Sequence, residues 1–152
     1  GFLFKGHSIM GMRIGNSYHN LIYSPQHLLE TTEKTIAKAR EIFAKTPFDA
    51  FAFRGSSGAA MAFSLSITLQ IPCIYIRKPG EQSHGNPIEG PNNEVKTYLI
   101  IDDFIERGAT IRHILTSLAR AQCVGALLYG RTTIDLSHKQ AVLFGIPLWG
   151  AQ

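Results

Sequence analysis

Apolar residues follow two rhythms along this chain. From Ser24-Pro25 onward, Leu28, Leu29, Thr32, Ile36, Ala39 and Phe43 recur at helical spacing, while Glu30, Glu33, Lys34 and Lys38 lie off that stripe. The pattern predicts an amphipathic helix with Ser24 as N-cap and Pro25 in the first turn. Further on, the rhythm changes to short unbroken apolar runs. Ala50 to Phe53, Cys73 to Arg77, Tyr98 to Ile101 and Val124 to Tyr129 predict four strands, with Phe144 to Trp149 as a last short one. Ala59 to Gln70 and Thr110 to Gln122 predict helices between them, the second with Ile111, Ile114, Leu115 and Leu118 on one face. Ser8 to Tyr23 alternates weakly around Gly15-Asn16, which predicts an N-terminal hairpin.

Strands that alternate with helices, and are apolar throughout, predict an α/β fold with a mostly parallel, Rossmann-like sheet covered on both faces. Ligands of such sheets bind at the carboxyl ends of the strands. Three segments fall there: the glycine/serine loop Arg54 to Gly58, the polar loop opened by Arg77 and running to Asn93, and Asp102 to Thr110. The second is long for a compact domain, as functional or disordered loops are.

A length of 152 residues fits a single domain. With 45% hydrophobic and 17% charged residues, the chain is neither disordered nor collagen-like nor a coiled coil. Residues 55 to 76 carry no charge, which is long enough for a membrane span. Four serines, Gln70 and Pro72 within that stretch, and its strand-like end, favour helix, turn and buried strand instead. Gly1 to Gly6 is too short and mixed for a signal peptide. Cys73 and Cys123 form neither a C-x-x-C nor a Cys/His cluster, so a reduced, cytoplasmic setting is expected. The histidines have no metal-ligand spacing, and Arg112 and His113 read as a solvated helix face. A net charge of +4 suits a polyanionic partner, and the absence of a Lys/Arg run favours a phosphorylated small molecule over nucleic acid.

The segment from Tyr98 to Thr110, Y-L-I-I-D-D-F-I-E-R-G-A-T, carries the most chemistry. An apolar strand ends in two adjacent carboxylates. Five residues later Gly108-Ala109-Thr110 opens a helix, where free backbone N–H groups and a hydroxyl can cradle a phosphate. Carboxylates beside such a cradle can hold sugar hydroxyls or a hydrated Mg²⁺. Together they suggest a sugar phosphate. The alternative, two acids that merely end a strand, stays open at this point.

This segment resembles the motif by which type I phosphoribosyltransferases bind 5-phosphoribosyl 1-pyrophosphate (PRPP). Arg54-Gly55-Ser56 resembles the family's pyrophosphate loop, and Arg77-Lys78 the start of its mobile loop, so the likeness covers roughly residues 49 to 130. It implies Mg²⁺-dependent transfer of ribose 5-phosphate from PRPP to a nucleobase by a single domain at 1–152, with a small N-terminal hood at 1–23 and a mobile loop at 79–95. Asp102 and Asp103 would hold the ribose hydroxyls, directly or through Mg²⁺. Glu106, Arg107, Gly108, Ala109 and Thr110 would wrap the 5-phosphate. Arg54, Gly55 and Ser56, through a peptide that is often cis in the family, would bind pyrophosphate with Arg77 and Lys78. Closure of the mobile loop would exclude water. A homodimer and no membrane partner are implied as well.

Some positions depart from the family pattern. Phe104 is larger than the usual aliphatic residue. Arg107 replaces a small one, and its guanidinium is expected to grip phosphate rather than block the cradle. Glu106 matches the proton-exchanging acid of the 6-oxopurine enzymes, which tilts the expectation to a purine. Arg77-Lys78 with His84-Gly85 is similar to the orotate enzymes, with His84 a candidate catalytic residue. At the base site Gly130, Ala141 and Leu148 match none of the 6-oxopurine residues. Arg131, Tyr129 or Trp149 are substitutes, the last two also fitting the core. A non-catalytic PRPP- or nucleotide-binding regulator on the same fold is the alternative.

Overall fold

A computed structural model describes residues 9–14, 23–81, 86–105, 107–130 and 141–152. Its first long element is helix α1 (Pro25–Lys45). Strand β1 (Ala50–Phe53) then runs directly into α2 (Gly55–Leu69), followed by β2 (Cys73–Ile76) and the short β3 (Ile88–Glu89). Strand β4 (Thr97–Asp102) leads to α3 (Ala109–Ser117), then β5 (Gln122–Leu128) and a hairpin of β6 (Ala141–Leu143) and β7 (Ile146–Gly150).

The seven strands form one sheet in the order β3-β2-β1-β4-β5-β7-β6. The inner pairs are parallel, and only the outermost ones, β2 with β3 and β6 with β7, are antiparallel. From β1 the chain steps one way to β2, then crosses back to β4 on the other side. The crossover makes a switch point between the ends of β1 and β4.

Side-chain alternation divides each strand between two cores. Phe51, Phe53, Leu99, Ile101 and Leu127 face one way and pack with Ala39 and Ile42 of α1 and Met61, Ala62 and Leu65 of α2. Ala50, Ala52, Tyr98, Ile100, Ala126 and Leu128 face the other way and pack with Ile111 and Ile114 of α3. The sheet is therefore covered on both faces, as the unbroken apolar runs require.

Several boundaries differ from expectation. Helix α2 begins at Gly55, not Ala59, because Gly55 adopts φ +83° and turns the chain out of β1 at once. The expected glycine/serine loop is thus the helix's first turn. The charge-free stretch divides into α2 and β2, and no described helix is long and apolar enough to cross a membrane. In α1 the buried positions are Thr31, Thr35, Ala39 and Ile42, while Leu29 and Phe43 are exposed. The Thr35 hydroxyl tolerates burial by donating to the Thr31 carbonyl at 2.6 Å. Ser24 occupies the N-cap without a side-chain cap bond. Helix α3 stops at Ser117, and the single last strand is a hairpin. The long polar loop contains β3. Of the expected N-terminal hairpin, residues 9–14 are described, with Ile9, Met10, Met12 and Ile14 exposed, and its turn lies outside the described residues.

Candidate active site

At the switch point the ends of β1 and β4 open a cleft of about 360 Å³. Both α2 and α3 start there. Neither helix has a side-chain cap or an acidic residue in its first turn. The N–H groups of two helix starts, which have no intrahelical acceptors, therefore meet in one cavity.

The β1 side supplies Arg54, Gly55, Ser56 and Ser57. The peptide bonds here are trans, unlike the cis bond the resemblance implied, and the positive φ of Gly55 makes the turn. A side chain at Gly55 would be strained by the positive φ and would press on the flexible end of Lys78. An added Cβ would lie 3.3 Å from Lys78 Cε and 3.6 Å from Nζ. The Lys78 ammonium thus rests against the positive end of α2, a repulsive placement that an anion between them would relieve. Lys78 is held by its own backbone: its N–H donates to Glu81 Oε2 at 3.0 Å, and Glu81 N–H returns to the Lys78 carbonyl at 3.1 Å. The Tyr75 hydroxyl also donates to Glu81, which keeps that carboxyl below its ordinary range. At the end of β5, the Tyr129 hydroxyl donates to the Ser57 carbonyl at 2.6 Å and fixes the first turn of α2.

The β4 side supplies Asp102 and Asp103, both buried. Asp102 Oδ1 accepts the Asp103 N–H at 2.9 Å, and Asp103 Oδ1 accepts the Phe104 N–H at 2.8 Å. Burial, and then the adjacent Asp103 charge, push Asp102 up to about 8. The backbone beneath is clamped to the end of β5 by Tyr129 N–H on the Asp102 carbonyl and Gly130 N–H on the Asp103 carbonyl. Gly130 lies so close that a Cβ would sit 2.7 Å from the Asp103 oxygen. Beyond the acids, Phe104 and Ile105 line the cleft and Arg107 is exposed at it. Gly108 has φ +76°, and its Cα faces the Phe144 ring of the β6–β7 turn so closely that a Cβ would approach it to 2.9 Å. Only glycine allows this turn into α3.

One unexpected contact crosses the cleft floor. Arg54 donates through Nη2 to Thr110 Oγ1 at 3.1 Å, and its Nη1 lies 3.2 Å from His113 Nδ1. His113 is half-buried rather than on a solvated face. Burial and the Arg54 charge hold its pKa below the ordinary histidine value. Arg54 Nε is buried without a hydrogen-bond partner among the described residues, a situation that costs about 1–3 kcal/mol. The α3 spacing contained the signal for His113, because Thr110 and His113 are three residues apart and share a helix face. Arg112 is exposed, and its guanidinium stacks 4.6 Å from the Phe144 ring centroid.

The structure therefore gathers Arg54, Gly55, Ser56, Lys78, Asp102, Asp103, Arg107, Gly108, Ala109 and Thr110 around one cleft. Arg77 is not among its lining residues. It pairs with Glu89 at 2.6 Å, donates to the Asn86 carbonyl and stacks on Tyr75, which ties β3 to β2. Glu106, His84 and Arg131 lie outside the described residues. Tyr129 is fully buried and Trp149 packs against the core, so both follow their core alternative.

No protein-family model matches the chain. A curated orotate phosphoribosyltransferase from Oceanobacillus iheyensis is 36% identical over 93 residues. That match covers 60% of this chain but 46% of the relative, so the chain aligns with less than half of that protein's length. Among solved structures, orotate phosphoribosyltransferase from Aeropyrum pernix superposes with a TM-score of 0.64 at 17% identity, covering 90% of this chain and 77% of the other. Adenine phosphoribosyltransferase from Saccharomyces cerevisiae, solved with an imino-altritol bisphosphate and adenine, gives 0.60 at 16% identity, covering 85% and 80%. Sheet order, switch point and motif agree with these likenesses, and the chain has the type I phosphoribosyltransferase fold.

Proposed function

We propose that this chain transfers ribose 5-phosphate from PRPP to a nucleobase and releases pyrophosphate. The observation that carries the reading is the meeting of two uncapped helix starts, Lys78 and two buried carboxylates in one cleft. PRPP has phosphates at both ends of a sugar diol, and the cleft has anion-binding groups on both sides of two acids. In this reading the first turn of α3, with Thr110 and Arg107, takes the 5-phosphate. Asp102 and Asp103 take the ribose hydroxyls. The first turn of α2 and Lys78 take the pyrophosphate.

The bond from the anomeric carbon to pyrophosphate breaks as the bond to a base nitrogen forms. Negative charge grows on the departing pyrophosphate, where Lys78 and the α2 N–H groups stabilise it. Among the described residues no group of three metal-ligating side chains exists. Two carboxylates still fit Mg²⁺, a hard cation bound by one or two carboxylates together with substrate oxygens. When bound, Mg²⁺ would supply charge neutralisation on the pyrophosphate.

Glu106 favoured a purine, but the curated relative is named for orotate. Gly130 leaves no space for the lysine that 6-oxopurine enzymes carry there. Orotate is therefore the first base to test, with purines beside it. The missing side chain at Gly130 also favours a second reading, a PRPP-binding regulator without turnover. Exposed Phe63 and Ile67 on α2 would suit a homodimer contact.

The test is thermal unfolding with PRPP, with and without Mg²⁺, followed by product assays with orotate, adenine and hypoxanthine. PRPP at 100 times its Kd should stabilise the fold by about 2.7 kcal/mol. Stabilisation with product supports the transferase. Stabilisation without product from any base favours the regulator, and no stabilisation at millimolar PRPP overturns both.

A further inference from the structure

We propose that His113 is a positioning residue for the phosphate cradle, holding Arg54 so that Arg54 orients the Thr110 hydroxyl toward an incoming phosphate. The proposal rests on reading the cleft as a phosphoribosyl site. It assigns work to two side chains that the motif does not explain: the Arg54 guanidinium, where the resemblance drew only on the backbone, and a histidine of α3.

The hydrogen-bond inventory fixes the direction of each contact. A guanidinium has donors only. In the 3.1 Å contact, Thr110 Oγ1 must therefore accept from Nη2. A hydroxyl that accepts from arginine keeps its own proton for another partner. Thr110 sits in the first turn of α3 and lines the cleft, so that proton is available beside the free N–H groups of the turn. The 3.2 Å contact follows the same logic: Nδ1 of His113 must accept from Nη1, which puts the ring proton on Nε2. A neutral ring agrees with the downward shift that burial and Arg54 impose on it.

A tether is needed because arginine is long and rich in rotamers, so a guanidinium held by one contact keeps much of its freedom. Arg54 Nε is buried without a hydrogen-bond partner among the described residues, so the two Nη contacts are what fix the group. Thr110 and His113, one helical turn apart on α3, hold the guanidinium from two sides.

The experiment combines imidazole ¹⁵N NMR of the free protein with calorimetric binding of ribose 5-phosphate to wild type, His113→Gln and His113→Leu. The expected spectrum shows His113 protonated on Nε2 with an accepting Nδ1. Glutamine can accept from Arg54, so His113→Gln should bind within about threefold of wild type, whereas His113→Leu should bind roughly tenfold more weakly. Protonation on Nδ1, or wild-type affinity in His113→Leu, overturns the positioning role alone. If wild type itself does not bind ribose 5-phosphate, the phosphoribosyl reading falls and this proposal with it. Should His113→Leu fail to fold, the spectrum and the His113→Gln affinity decide.

Discussion

Asp49 and Asp102 stand at opposite edges of the same pair of strands, and their surroundings treat them in opposite ways. Asp49 precedes β1 at the amino edge. Its Oδ2 accepts N–H groups from Lys96 at 2.8 Å and Thr97 at 3.1 Å. Those bonds hold its pKa below the usual aspartate value. Asp102 ends β4 at the carboxyl edge, buried beside a second acid, and its pKa is raised to about 8. The first acid has backbone partners that favour its charge. The second is kept where its charge is disfavoured, as groups at binding clefts often are. The two strand-edge carboxylates thus differ: one is tied into the fold by backbone donors, and the other, in the proposed reading, is the one a ligand would meet.

Asp102→Asn should give the largest separation. In the proposed reading it removes a charge offered to ribose or Mg²⁺, so PRPP affinity with Mg²⁺ should fall by about 100-fold or more. The free protein should respond in the other direction. A carboxyl whose folded pKa lies above its unfolded value gives full stability below the unfolded pKa and loses it as pH rises toward about 8. Asparagine escapes that loss. The variant should melt higher than wild type at pH 8 and no higher at pH 4. A lower melting point at pH 8 would mean that Asp102 is a structural acid like Asp49.

Lys78→Ala comes next. Its ammonium rests at the start of α2. Turnover should drop by roughly 10–100-fold, with a smaller change in PRPP affinity, because the charge on pyrophosphate is greatest as it leaves. Single-turnover kinetics separate the two quantities. Equal losses in both would make Lys78 a binding group only.

The same contrast explains what could be read from the residues. The parallel sheet was visible because each inner strand is apolar on both faces, and the two acids with Gly108-Ala109-Thr110 mark the end of one of them. Helix boundaries were less visible. The start of α2 depends on the positive φ of Gly55, which the string G-S-S-G does not reveal. The pairing of Arg77 was hidden because its partner, Glu89, lies twelve residues on and meets it only when β3 pairs with β2. His113 was missed because its partner, Arg54, lies just after β1, far away in the chain from α3. Local pattern reported the scaffold and the backbone cradle, while side-chain partners across the sheet needed the fold.

Gly108→Ala should have a smaller effect and test the cradle itself. A Cβ there needs a positive φ of +76° and lies 2.9 Å from the Phe144 ring. The strain should cost about 1–3 kcal/mol. Chemical denaturation would measure it. Phe144→Ala in the same chain should return part of the loss by removing the clash, leaving the backbone strain. No recovery would mean that the backbone angle alone sets the cost.

Asp49→Asn should have the smallest effect and complete the contrast. An amide oxygen placed where Oδ2 sits can still accept both N–H groups, but the charge that strengthens them is gone. An acid with a depressed folded pKa stabilises the fold above its unfolded pKa and loses that contribution as pH falls through the folded value. The variant should therefore melt below wild type at pH 7, and the two curves should converge once the pH has fallen below the depressed folded pKa. PRPP affinity should stay within about twofold, because the change lies at the far end of the strands from the cleft. A large loss of affinity would show that the amino edge transmits strain to Asp102, and the division of the two acids into scaffold and site would fail.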